Sequence, residues 1–108
     1  MITLRVYETA EGTRPFDEWF DSLVAKAAVK VTAALTRMEK GNFGDVKPVG
    51  HGVSERRIDF GPDYRVYFGR DGDEIVILLC GGTKKRQQKD IEAAKAYWKE
   101  YKRRKKGG

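Results

Sequence analysis

The sequence predicts an α+β domain with the element order β-α-α-β-β-β-α. Three observations predict it. Apolar and polar residues alternate over residues 2–8, and strand-like runs recur between 53 and 80. Apolar residues fall at helical spacing over 14–22, 25–40 and 87–103. The clusters Gly61-Pro62-Asp63 and Asp71-Gly72-Asp73 separate the last three strands closely enough to make antiparallel hairpins. The expected architecture is a small antiparallel sheet, a three-strand meander plus an N-terminal strand, packed against a helical hairpin and followed by a C-terminal helix.

Each element has its own warrant. The N-terminal strand places Ile2, Leu4 and Val6 on one face. Glu11-Gly12-Thr13-Arg14-Pro15 is a turn into the first helix, with Thr13 as N-cap and Pro15 in the first turn, where its missing N–H costs nothing. Asp17 and Glu18 then suit the positive end of that helix. Phe16, Trp19, Phe20 and Leu23 form its core-facing stripe. The second helix turns Ala28, Val31, Leu35 and Met38 inward and stops at Gly41. Residues 41–52 hold four Gly, one Pro and one Asn and read as loop. Strands follow at about 53–60, 64–70 and 74–80. The third is apolar on both faces and therefore central. The last helix carries the stripe Ile91, Ala94, Trp98 and Tyr101, with fraying expected from Lys102.

A chain of 108 residues that is 40% hydrophobic is sized for one domain, here residues 1–104, with 105–108 as a basic, glycine-ended and disordered tail. No apolar run approaches a membrane span, and the first residues lack the layout of a signal peptide. Cys80 stands alone in an apolar run, which predicts a buried thiol of low reactivity and a cytoplasmic location. One Cys and one His exclude a Cys/His zinc site, and nothing in the sequence calls for a cofactor.

The charge is lopsided. From Lys84 onward there are 11 Lys/Arg against three acids, a balance of +8 within a total of +6. Such a basic end implies an anionic partner, and nucleic acid fits best because each neutralised phosphate releases counterions. A solvated helix face is the plainer alternative.

Strand alternation sorts the candidate site. Tyr64, Val66 and Phe68 point one way, with Arg56 on the side of Ile58 and Phe60. Arg57, Arg65 and Tyr67 share the other, open face with Glu55 and Asp59. Gly81-Gly82-Thr83-Lys84-Lys85-Arg86-Gln87-Gln88 brings three cations to the same end of the sheet. Arginine forks onto phosphate, and tyrosine stacks on unpaired bases. Gly81 and Gly82 give the backbone close approach and the cations room. The structural alternatives are a Tyr67 that packs across strands and an Arg57 paired with Glu55 or Asp59. Two-metal hydrolysis needs clustered carboxylates, and the acids here are dispersed. His51, in Gly50-His51-Gly52, is the single group with an ordinary pKa near neutrality, though a lone loop histidine is more often solvated. Acid–base work then falls to Lys, Arg or Tyr, since a lysine crowded by cations binds its proton less tightly.

Three stretches carry a resemblance. They are Glu55-Arg56-Arg57-Ile58-Asp59-Phe60-Gly61-Pro62-Asp63-Tyr64-Arg65-Val66-Tyr67-Phe68, then Ile75-Val76-Ile77-Leu78-Leu79-Cys80-Gly81-Gly82-Thr83-Lys84, then Gln88-Lys89-Asp90-Ile91-Glu92-Ala93-Ala94. Together with Phe16-Asp17-Glu18-Trp19-Phe20 they make the chain similar to the RelE/ParE toxin superfamily, in its phage-derived, HigB-like branch of addiction module killer proteins. The resemblance implies a RelE-like fold and the toxin of a type II toxin–antitoxin pair. It implies metal-free cleavage of mRNA on the ribosome, in which the 2′-hydroxyl of the RNA attacks the adjacent phosphate. By position it assigns the phosphate clamp to Arg65 and charge stabilisation or proton transfer to Lys84, Lys85 or Arg86. Arg57 matches more weakly; beside the carried-over residues, Tyr67 is a candidate to orient or stack a base, and Arg56, Tyr64, Gln87 and Lys89 are candidate RNA contacts. It also implies a cognate antitoxin, encoded alongside and carrying a helix-turn-helix domain. The chain departs from the branch in lacking a His near its C-terminus and in the run Thr83-Lys84-Lys85-Arg86. Two alternatives share these features: a ParE-like poison of DNA gyrase on the same fold, and a non-catalytic nucleic-acid-binding module.

Overall fold

Five strands form one mixed sheet in the computed structural model, which describes residues 1–107. They are β1 (Thr3–Val6), β2 (Val46–Gly50), β3 (Val53–Ile58), β4 (Tyr64–Asp71) and β5 (Ile75–Thr83), in the spatial order β1-β5-β4-β3-β2. Three helices accompany them: α1 (Pro15–Asp21), α2 (Ala25–Glu39) and α3 (Gln87–Gly107), the last preceded by a 3-10 turn at Lys84–Arg86. The fold is α+β, as the sequence predicts.

Two features of the sheet differ from expectation. β1 pairs with β5 in parallel, Leu4 beside Val76 and Val6 beside Leu78. Parallel neighbours need a long connection, and everything from α1 to β4 intervenes. Second, the segment read as loop contains β2, an antiparallel edge strand that sets Lys47 opposite Glu55. Its glycines and Pro48 hide it. Proline lacks a ladder donor, but an edge strand tolerates that, and the pairing is irregular between Pro48 and Gly50.

The helix ends are mostly as expected. Pro15 opens α1, with Asp17 and Glu18 in its first turn. Thr13 does not cap it. Arg14 occupies the N-cap position without a capping side-chain hydrogen bond, though its guanidinium pairs with Asp17 at 2.8 Å, and the Thr13 hydroxyl turns instead to Thr9 Oγ1 at 2.7 Å. α2 ends in a Schellman motif: Gly41 has φ +90°, its N–H donates to Met38 O, and the Asn42 N–H donates to Arg37 O.

The sheet is covered on both faces. Phe16, Val31 and Met38 of the α1–α2 hairpin pack on Tyr64, Val66, Phe68, Val76 and Leu78. Across the sheet, Ala94 and Trp98 of α3 pack on Val53, Tyr67, Ile77, Leu79 and Cys80. Each helical layer rests a tryptophan on bare backbone. A Cβ added to Gly81 would lie 2.3 Å from the Trp19 ring, and one added to Gly69 would lie 2.5 Å from the Trp98 ring. The glycines are therefore packing surfaces.

α3 does not fray at Lys102. It continues to Gly107, because Arg104 donates to Glu8 O at 2.5 Å and pairs with Glu100 at 3.0 Å, while Lys105 reaches Asp71 at 2.5 Å. Of the expected tail, residues 105–107 are thus helical, and Gly108 lies outside the described residues. Among the described residues no helix is long and apolar enough to cross a membrane. Cys80 is buried, and burial followed by the charge of Asp90 pushes its thiol up to about 12, which leaves it inert as a nucleophile near neutral pH.

Candidate nucleic-acid interface

The β3–β4 hairpin and the end of β5 form a cleft of about 250 Å³. Strand pairing builds it. β3 sets Arg57 opposite Arg65, and β4 sets Arg65 opposite Gly82, so Lys84 follows two residues beyond. The Lys84 N–H donates to Asp63 O at 3.2 Å and ties the end of β5 to the β3–β4 turn. Arg57, Arg65 and Lys84 line the cleft together with Ile58, Asp45, Asp59 and Asp63. Three cations drawn from three different segments thus meet in one opening.

Arg65 forms the floor. It is only 5% exposed, and Glu55 beneath it is fully buried. Arg65 Nε faces Glu55 Oε1 at 3.6 Å, an ion pair without a hydrogen bond, and Arg65 Nη1 donates to Asp63 O at 2.8 Å. Nη2 makes no hydrogen bond among the described residues, and Arg65 lines the cleft. Glu55 Oε2 accepts from Tyr67 Oη at 3.2 Å and from Gln87 Nε2 at 2.8 Å. A buried carboxylate therefore orients the guanidinium, while a phenol and the first residue of α3 orient the carboxylate. Glu55 lies on the face that strand alternation predicts, but its ionic partner is Arg65 rather than Arg57. The available signal for Glu55 was a lone carboxylate on the same side of β3 as the apolar Val53.

Arg57 is exposed and forks onto Asp45 at 3.2 and 3.3 Å. That hydrogen-bonded carboxylate holds the guanidinium above its ordinary pKa, so Arg57 stays fully charged. An exposed pair of this kind exchanges readily for a phosphate. Asp45 lies in the segment read as loop, and its partnership with Arg57 replaces the expected pairing with Glu55 or Asp59.

The other sequence candidates fall elsewhere. The face expected to be open is covered by α3, so Tyr67 is 0% exposed and cannot stack on a base. Burial and the Glu55 carboxylate also push its phenol far above the usual tyrosine range, which removes it from proton transfer near neutrality. Tyr64 is buried in the opposite core, edge-on to Trp19 at 6.3 Å. Arg56 lies on the α2 side, where its guanidinium bonds Arg57 O and lines a hollow with Arg37, Lys30 and Asp59. Burial, then the nearby Arg37, hold its pKa below the ordinary arginine value. Gln87 is committed to Glu55. Lys85 and Lys89 are exposed but do not line the cleft. Arg86 lines a separate hollow with Trp19, Gly81, Gly82, Thr83 and Asp90. His51 sits beyond the far end of β3, in the β2–β3 turn.

That second hollow contains a carboxyl the sequence reading overlooked. Asp90 Oδ2 is buried without a hydrogen-bond partner and presses on Gly82, whose added Cβ would lie 1.9 Å from it. Gly82 thus makes room for this carboxyl rather than for a cation. Burial raises the Asp90 pKa, and Arg86 only partly opposes it. Native protein then holds this proton over a window above the ordinary aspartate range, where unfolded chain has released it. Stability from this group is present below that window and is lost as pH rises through it. Asp90→Asn should flatten that part of the stability profile, measured by urea unfolding between mildly acidic and neutral pH. Asp71, held low by hydrogen bonds from Lys105 and Tyr101, acts in the opposite sense: its contribution is lost as pH falls through its depressed value.

Among the described residues no group of three or more His, Cys, Asp or Glu is arranged to hold a metal ion. What the cleft offers is one oriented guanidinium, two exposed cations and adjacent carboxylates, a set suited to a phosphodiester.

The comparisons cover this whole region. Residues 18–102 match the family model described as "Phage derived protein Gp49-like (DUF891)", a span that runs from within α1 into the second half of α3. A protein of Haemophilus influenzae (strain ATCC 51907 / DSM 11121 / KW20 / Rd), described as uncharacterized, is 48% identical over 84 residues, 77% of this chain and 85% of that relative. On the extent of these matches, the chain belongs to the phage-derived Gp49-like protein family.

Proposed function

We propose that this protein is the toxin of a type II toxin–antitoxin pair and acts as a metal-independent RNA endonuclease of the RelE/HigB kind, cutting message on the ribosome. The observation that carries the reading is the meeting of Arg65, Lys84 and Arg57 in one cleft, with Arg65 aimed by a buried carboxylate. Membership of a phage-derived family supports the toxin role. In the proposed reaction the 2′-oxygen bonds to phosphorus as the P–O5′ bond breaks. The 2′-hydroxyl proton leaves to a base, and the 5′-oxygen gains a proton. Arg65 and Lys84 stabilise the charge that builds on the phosphorane, and Arg57 trades Asp45 for the backbone. Asp45, Asp59 and Asp63 line the cleft and are the carboxylates available there to exchange these protons. The cognate antitoxin would cover the basic face or displace α3, and a helix-turn-helix domain on it would let the pair repress its own promoter.

Lys84 is exposed, so Lys84→Ala removes a charge without opening the core. Purified ribosomes programmed with message should be cut about 10²-fold more slowly by this variant than by the wild type. Equal rates remove Lys84 from the mechanism. Growth arrest with broken DNA and intact message would assign the protein to gyrase poisons instead. Co-expression with the neighbouring gene tests the partner, since toxicity should vanish in its company.

A further inference from the structure

The cations of α3 from Lys95 onward divide into two groups. Arg103, Arg104 and Lys105 are paired with Glu100 or Asp71. Lys95, Lys99, Lys102 and Lys106 are not: none takes part in an ion pair among the described residues. Their spacing of four, three and four puts them in one row on the helix. Lys95, Lys99 and Lys102 line a hollow of about 340 Å³ with Ala96 and His51. Glu92, one turn earlier, forms no ion pair with Lys95.

This row costs stability. Like charges three or four residues apart on one helix face repel one another. Lys102 is partly relieved, since its ammonium sits 5.7 Å from the Trp98 ring centroid. A self-repelling row kept on a well-anchored helix is complementary to a polyanion. Its shape narrows the choice. The row is straight and about 16 Å long from Lys95 to Lys106. It has no large apolar side chain to enter a bilayer, since the exposed large hydrophobics are Met1, Val24 and Val29. Evenly spaced charges along a line match the repeating phosphates of a single strand.

We propose that the lysine face of α3, flanked by His51, binds the sugar-phosphate backbone of RNA at a site separate from the cleft. The two sites are joined by the fold. α3 begins at Gln87, which bonds Glu55 under the cleft, and Lys95 lies about 12 Å further along the same helix. His51 lies at the opposite end of β3 from the cleft, about 20 Å away. A strand seated on Arg65 and Lys84 can continue over the lysine row. The inference rests on the RNA reading for the identity of the polyanion, but not on cleavage.

The test uses a fluorescent 20-nucleotide single-stranded RNA with 2′-O-methyl groups, which cannot be cut by its own 2′-oxygen. Binding to the whole protein is followed by anisotropy over a series of salt concentrations. The triple variant Lys95→Gln/Lys99→Gln/Lys102→Gln should lower the slope of log K against log salt by about 2, from about 0.7 per phosphate contact. Its thermal midpoint should equal or exceed that of the wild type, since repulsion is relieved. A slope unchanged from wild type overturns the proposal. So does an unchanged slope with lost affinity for vesicles of anionic phospholipid, which assigns the face to a membrane. Lys84→Gln is the control for the cleft. If the wild-type protein leaves message on programmed ribosomes uncut while the triple variant shows the expected slope, the nuclease reading fails and the lysine-face site stands.

Discussion

Arg65→Ala should lower the free energy of unfolding by about 3–5 kcal/mol and, on the proposed function, abolish cleavage of message. The reason lies beneath the side chain. Glu55 is fully buried, and its Oε1 has no hydrogen-bond partner and is ion-paired with Arg65 Nε at 3.6 Å. Without the guanidinium, the buried carboxylate keeps only the neutral donors Tyr67 and Gln87, both on Oε2, and faces no opposing charge. The size of the loss separates anchoring from catalysis. Glu55→Gln/Arg65→Met removes both charges and keeps the volume, so it should recover most of the lost stability while staying inactive. Urea midpoints at constant m-value read the first effect, and cleavage on programmed ribosomes reads the second. An Arg65→Ala protein as stable as the wild type would show that Glu55 finds other partners and does not depend on this pair.

Trp98→Ala should cost a similar amount, about 3–5 kcal/mol, through the cavity it leaves between α3 and the sheet. The indole is 5% exposed, stacks on Tyr101 with ring centroids 5.3 Å apart, and fills the space over Gly69. Gly69→Ala should cost about 1–3 kcal/mol for the opposite reason, a methyl forced into that ring. The two changes should be strongly non-additive, because removing the ring removes the clash. Double-variant urea unfolding checks this. Additive losses would mean that the indole does not press on the Gly69 backbone. Loosening α3 should also speed hydrogen exchange in β4 around Tyr67, which α3 covers.

The strands and helices were legible because their periodicities are strong. Ile2, Leu4 and Val6 all pack on the hairpin side, and the Ile91, Ala94, Trp98 and Tyr101 stripe faces the sheet. β2 was not legible, since an edge strand with Pro48 and flanking glycines has the composition of a loop. The candidate site was half legible. Alternation placed Arg57 and Arg65 on one face with Glu55, and the cleft joins the two arginines to Lys84. Tyr67 shares that face but sits under α3, because alternation says which side a residue is on and not what covers that side.

The sequence by itself determined the α+β class, the order of helices and meander, and the concentration of positive charge from Lys84 onward, for these follow from local periodicity and composition. Only the tertiary structure decided which cations share an opening. Arg65, Arg57 and Lys84 converge through strand register, whereas Arg56, Lys85 and Arg86 diverge from them although they are adjacent in the chain. The physical reason is that register and helix docking are set by burial across the whole sheet. A neighbour in sequence is turned to the opposite face, while a residue far away in sequence is brought alongside.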